Sequence, residues 1–225
     1  MHIPEGLLDL WIVIPLWIVT LGYGSVSLFK VKKTIKEDQI AIVSVITAMV
    51  FALQMLNFPI VAGTSGHFLG FILMAILISP SAGFIMISVV LIIQAFLFAD
   101  GGIIALGANI FNMGIATLPG YFTYWAIRKK SKDLSQGDKA YTRNLLVATF
   151  TGAYVSLIVA ATICGVEVGL SDSFPFGIAY TVPVMLGYHL LIALGEGLIT
   201  MVIVGFFHKY APEYLPNFEK TPLWS

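Results

Sequence analysis

Long apolar runs joined by short polar bridges set the pattern of this chain. Continuous hydrophobic stretches lie at 8–29, 40–57, 67–79, 82–99, 104–127, 144–165 and 176–207. Most approach or exceed the ~20 apolar residues that carry a helix across a bilayer. Their continuity excludes the alternating faces of barrel strands. Seven transmembrane helices are therefore expected, since a helix satisfies its own backbone N–H and C=O groups in hydrocarbon. The third run is the short one: its apolar part, FLGFILMAILI, is about half a membrane's worth of helix.

Composition sharpens this into a fold class. Of 225 residues, 58% are hydrophobic and 11% charged, and mean hydropathy is +0.93. A soluble domain of this length has too much surface to hide so many apolar side chains. The expectation is an all-α, polytopic membrane helix bundle forming a single domain over 1–210, with a cytoplasmic tail at 211–225. The single cysteine, Cys164, excludes an internal disulfide and a CxxC metal site. Net charge is zero, and no basic patch suggests nucleic acid.

Charge placement decides whether the short run counts. The basic residues are Lys30, Lys32, Lys33, Lys36, Arg128, Lys129, Lys130, Lys132, Lys139, Arg143, Lys209 and Lys220. With seven spans all 12 fall on one face, which the positive-inside rule makes cytoplasmic. Dropping the third span puts the two basic loops on opposite faces. The amino terminus is then outside and the carboxyl terminus inside, in a prokaryotic plasma membrane. The outer loops hold Glu5, Asp100, Glu167 and Asp172 and no bases. Translocated loops that merely lack Lys and Arg explain this, and a vestibule attracting cations is compatible with it.

The chain opens MHIPEG, with neither the basic start nor the small-residue cleavage site of a leader, so these residues are expected to stay. Histidine is too large a second residue for methionine removal, so Met1 is expected to keep its place. Met1-His2 then offers a metal three nitrogens in series: the α-amine, the His2 amide and the His2 Nδ1. Amine and amide close a five-membered chelate, amide and Nδ1 a six-membered one. A planar set of this kind suits Ni(II) or Cu(II) better than tetrahedral Zn(II). One corner is left vacant, and the fold must fill it. A histidine near an amino terminus is also often an accident of sequence.

Three further histidines compete for that corner. His208 ends the last span in FFHKY and reads as an interfacial residue. His189 and Glu196 lie seven apart in YHLLIALGEGLI, on one helical face within the membrane. They read equally as functional groups or as a hydrogen-bonded pair. His67 follows AGTSG, which can turn sharply, and is expected to open the short third helix. A helix that short forces the outer loop to dip inward, and such backbone survives only when buried in protein or lining a cavity. The amino end of a helix favours neutral imidazole, the metal-binding form. A buried histidine bonded to a loop carbonyl is the plainer alternative. Six extended residues reach about 20 Å, enough for residues 1–6 to fold back and bring Met1-His2 to His67.

MHIPEG, GTSGHFLG, GANIFNMG at 107–114 and HLLIALGEGLIT at 189–200 together resemble the CbiM/NikM family. These are the substrate-capture (S) subunits of energy-coupling factor nickel/cobalt transporters. The resemblance runs to about residue 210. It implies an amino-terminal metal-binding arm (1–9), an extra first helix and loop (10–38) and a six-helix core (39–210). It implies ligands at the Met1 amine, the His2 amide and imidazole, and His67. Asn109 is a candidate to orient a histidine ring, against a helix-packing role. The resemblance also implies a docking face for a transmembrane coupling subunit. Ala48 and Ala52 supply a small-xxx-small pair for it, a spacing common in membrane helices.

The expected function is therefore capture of Ni(II), with Co(II) as alternative, by a non-catalytic subunit. The partners implied are a transmembrane coupling subunit and two cytoplasmic ATPases, with a further small membrane subunit as an optional addition. No GxxxxGK[ST] occurs in the chain. A tilting motion driven by the ATPases is implied by resemblance alone. The alternative is a stand-alone metal-ion channel or secondary permease, which usually carries several membrane carboxylates along its path; Glu196 is the only obvious one. An intramembrane metalloenzyme is disfavoured: HExxH is absent, and four bound nitrogens leave no corner for a catalytic water.

Overall fold

The computed structural model describes residues 1–35, 37–61, 63–131 and 133–215. The expectations placed on Lys36, Ala62, Lys132, Lys220 and the tail from 216 onward lie outside the described residues. An irregular arm, residues 1–9, leads into α1 (Leu10–Thr34). There follow α2 (Ile40–Gln54), α3 (Phe71–Leu77), α4 (Pro80–Phe98), α5 (Leu106–Ile110), α6 (Leu118–Arg128), α7 (Lys139–Leu170) and α8 (Ile178–Tyr210). The fold is an all-α membrane bundle. Among the described residues α1, α4, α7 and α8 are long and apolar enough to cross a membrane, and α2 is a shorter apolar helix.

Helix α7 runs antiparallel to α1 and to α8, as contacts at its two ends show. Asp9, just before α1, accepts from the Asp172 amide (2.7 Å) and the Ser173 hydroxyl (2.6 Å), just after α7. The start of α7 meets the end of α8, where Thr142 Oγ1 lies 3.0 Å from His208 Nε2. The described basic residues thus gather at the end of the bundle away from the arm: at the close of α1, α6 and α8 and the start of α7.

Two segments depart from the expected spans. The 67–79 stretch is helical only over Phe71–Leu77, whose seven residues are all buried. His67 therefore precedes the helix by four residues instead of opening it. Gly70 sets the break with φ +78, and a Cβ there would come within 2.5 Å of Val50 Cγ1, so α2 packs on bare backbone. The 104–127 stretch is interrupted by a π-helical turn, Phe111–Ile115, with Ala116 N–H donating to the Phe111 carbonyl (2.9 Å). Pro119 follows in the first turn of α6, where a missing N–H is tolerated. Between α2 and α3 the chain makes a two-stranded ladder, β1 (Phe58–Pro59) with β2 (Ser65–Gly66), which delivers Ser65 and His67 to the mouth of the bundle.

Candidate metal centre

The arm is inserted, not draped. Met1 and Ile3 are fully buried and His2 is 4% exposed. Burying two such side chains stabilises the insertion by about 1.5–3 kcal/mol each. Its main chain is held as a strand would be. Ile3 N–H donates to Asn109 Oδ1 (2.8 Å), and Asn109 Nδ2 returns a bond to the Ile3 carbonyl (3.1 Å). The Gly102 amide donates to the same carbonyl (2.9 Å). The seat requires glycine: a Cβ on Gly102 would lie 2.7 Å from the Glu5 nitrogen, and one on Gly101 (φ +94) 3.0 Å from Asn109 Nδ2.

Buried, the Met1 amine has its pKa pushed down from 8.0 to about 5, chiefly by loss of solvent, with Cys164 and Asp100 pulling the other way. At neutral pH it holds a free lone pair, the form a metal needs. His2 is pushed down to about 3 by burial and by the amine, against the hydrogen bond to Gln94. Its Nε2–H donates to Gln94 Oε1 (3.0 Å), which leaves the lone pair on Nδ1. That nitrogen is 3.4 Å from Ser65 Oγ and 3.2 Å from Asp100 Oδ1. With a neutral ring this last contact is not an ion pair. Burial raises the Asp100 pKa, while the amine and the Asn57 amide (2.8 Å) lower it. The His2 amide N–H donates to Ser65 Oγ (3.2 Å).

His67 completes the cluster. It is 1% exposed, and its ring stacks on that of His2 with centroids 4.5 Å apart and planes at 28°. Its Nδ1–H donates to the Phe68 carbonyl (2.8 Å), so Nε2 carries the lone pair, and Nε2 has no partner among the described residues. The backbone carbonyl sets the tautomer, not a helix amino end. Among the described residues no group of three or more His, Cys, Asp or Glu side chains is placed to hold a metal. Two imidazoles together with main-chain nitrogens form a different donor set from such a cluster.

Other expected residues fall elsewhere. Asn109 grips the backbone of Ile3 and orients no ring; the ring is held by Gln94, a lone amide in the apolar run LIIQAFLF. Its isolation there was the available signal, as the paired glycines were after Asp100. His189 and Glu196 share no hydrogen bond. His189 Nδ1–H donates to the Met185 carbonyl (2.7 Å), and both Glu196 oxygens accept backbone N–H groups near His67. His208 sits at the far end beside Thr142. Ala48 and Ala52 are exposed on α2, and Ala48 lines an apolar groove of about 470 Å³ between α2 and α4.

The sequence profile of the family CbiM, the cobalt uptake substrate-specific transmembrane region, matches residues 2–214. The chain belongs to this family. It is 37% identical over 216 residues to a protein of Archaeoglobus fulgidus assigned as a fused nickel transport protein NikMN, covering 96% of this chain and 68% of that protein. To the cobalt transport protein CbiM of Acetoanaerobium sticklandii it is 32% identical over 229 residues, covering 98% and 90%. The crystal structure of a truncated transition metal transporter superposes with a TM-score of 0.82 at 30% identity, covering 93% of this chain and 99% of that one. This CbiM-family chain is thus a multi-pass membrane component of metal uptake.

Proposed function

We propose that this chain is the substrate-capturing subunit of an ATP-driven, energy-coupling-factor-type uptake system for Ni(II), with Co(II) as the alternative cargo. What carries the reading is the meeting of the buried chain start with His67, whose open Nε2 lies beside the stacked His2 ring. The ligands are the Met1 amine, the His2 amide nitrogen, His2 Nδ1 and His67 Nε2, near one plane. Amine and imidazoles are neutral donors. As the ion binds it displaces the amide proton, which leaves to solvent, and the Ser65 hydroxyl that accepted from that N–H loses this bond. Four strong-field nitrogens in a plane favour Ni(II) over Zn(II).

In this reading seven spans place the arm outside the cell and the basic end in the cytoplasm. The subunit carries no catalysis of its own. ATP is hydrolysed by two cytoplasmic partners that act through a transmembrane coupling subunit docked on the α2 face with Ala48 and Ala52, and the loaded subunit tilts to release its ion. The test is an extra residue before Met1, or acetylation of its amine, with every side chain unchanged. Nickel capture by the purified subunit is then abolished. Retained binding, or an X-ray absorption spectrum without four nitrogen donors in the unblocked protein, refutes the assignment.

A further inference from the structure

His67 lies in a stretch, residues 67–70, that is neither helix nor strand yet lies within the bundle. Such backbone persists only if its polar groups find partners. Two helices supply them. From α8, the Glu196 carboxylate accepts the Leu69 N–H at Oε2 (2.7 Å) and the Gly70 N–H at Oε1 (3.0 Å). From α2, Gln54 Nε2 donates to the Leu69 carbonyl (2.6 Å). Glu196 is 3% exposed and Gln54 fully buried. The Phe68 carbonyl, directly before the clamped residues, receives His67 Nδ1–H (2.8 Å) and so fixes which nitrogen is open.

An apolar crevice of about 380 Å³ opens between α2 and α8 onto this junction, lined by Leu53, Leu56, His67, Phe68, Leu191 and Glu196 among others. The segment is buried, with Leu69 1% and His67 1% exposed, so its backbone groups must be met by protein partners. The hydrogen bonds with Glu196 and Gln54 meet three of them. A buried carboxylate is costly in a membrane bundle. Here it is spent on two adjacent amides beside the open histidine.

We propose that Glu196, assisted by Gln54, is a positioning residue for His67: it clamps Leu69 and Gly70 and thereby holds the Phe68 carbonyl and the His67 ring in place to receive the ion. The inference rests on His67 being a ligand. It accounts for an acid in the middle of α8 that the four-nitrogen site does not use.

The test is a double-mutant cycle on Ni(II) binding by the purified full-length subunit. Glu196→Gln keeps the shape but turns an amide NH₂ toward one of the two backbone donors. In the otherwise native chain it weakens nickel binding about 10–100-fold, the usual effect of losing a group that orients a metal ligand, and shifts the ligand-field absorption of the bound ion. In the His67→Ala background the same change leaves affinity within about twofold, because the residue it acts through is gone. Equal losses in both backgrounds, or no loss in the native one, overturn the proposal. Should Glu196→Gln fail to fold, Gln54→Met, near-isosteric and uncharged, carries the same cycle with the same expected pattern. If His67→Ala alone leaves nickel affinity unchanged, the metal-site reading itself fails, an outcome separate from additive losses.

Discussion

Asn109 holds Ile3 by both polar groups of its backbone, accepting from its N–H at 2.8 Å and donating to its carbonyl at 3.1 Å. An asparagine side chain here does what a neighbouring strand would do, and the π-helical turn that follows it helps shape this part of the bundle. The pose of the two residues before Ile3, and so of every nitrogen they offer, follows from that grip.

Asn109→Ala removes both bonds and leaves the Ile3 amide group buried without its partner. At about 1 kcal/mol of net value per bond, nickel affinity measured by titration should fall roughly tenfold or more. An unchanged affinity would show that Gly102 and the apolar contacts of Met1 and Ile3 suffice to seat the arm.

The glycine pair after Asp100 makes a sharper case. A Cβ at Gly102 would meet the Glu5 backbone at 2.7 and 2.8 Å, and backbone cannot swing aside as a side-chain tip can. Gly102→Ala should lift the arm and lose nickel capture while the bundle stays folded. Gly187→Ala, where a Cβ meets nothing within 4 Å, should leave capture intact. Equal behaviour of the two would mean the arm is not seated on this loop during capture.

His67→Ala should leave a tridentate arm with water in the fourth corner and much weaker nickel binding by titration. His208→Ala, at the opposite end of the bundle beside Thr142, should change little. A reversal of that order would move the site.

Ala48→Leu adds bulk to an exposed face of α2 that borders the groove against α4. It should spare metal binding by the isolated subunit and reduce nickel uptake by the assembled system. Normal uptake would remove this face as the docking surface.

Much of the architecture was legible because bilayer physics is severe. Apolar runs of 18 or more residues can hardly be anything but helices, and the 24-residue stretch of α1 and the long α7 and α8 obey that rule. The breaks were less legible. In FLGFILMAILI only Gly70 hints that the helix waits until Phe71, and what makes use of that glycine is distant: Val50 pressing on it, and Glu196 taking two backbone N–H groups 126 and 127 residues away in sequence. Likewise the seven-residue spacing of His189 and Glu196 correctly put them on one helix face, yet each is occupied with different backbone.

The order of atoms in Met1-His2, one amine, one amide and one imidazole nitrogen in chelating series, is written in covalent structure, and the sequence alone determined it. So were the apolar lengths of the main helices and the crowding of the bases onto their connecting ends. Which histidine meets that series, which of its nitrogens stays open, and which side chains hold the arm down were decided only in three dimensions. The open nitrogen is set by the neighbouring Phe68 carbonyl once the segment is folded. The other choices depend on hydrogen bonds between residues some 60 to 130 positions apart, among them His2 with Ser65 and Gln94, Ile3 with Asn109, and Leu69 with Glu196. Local spacing along a helix carries no record of partners on other helices, so packing had to choose them.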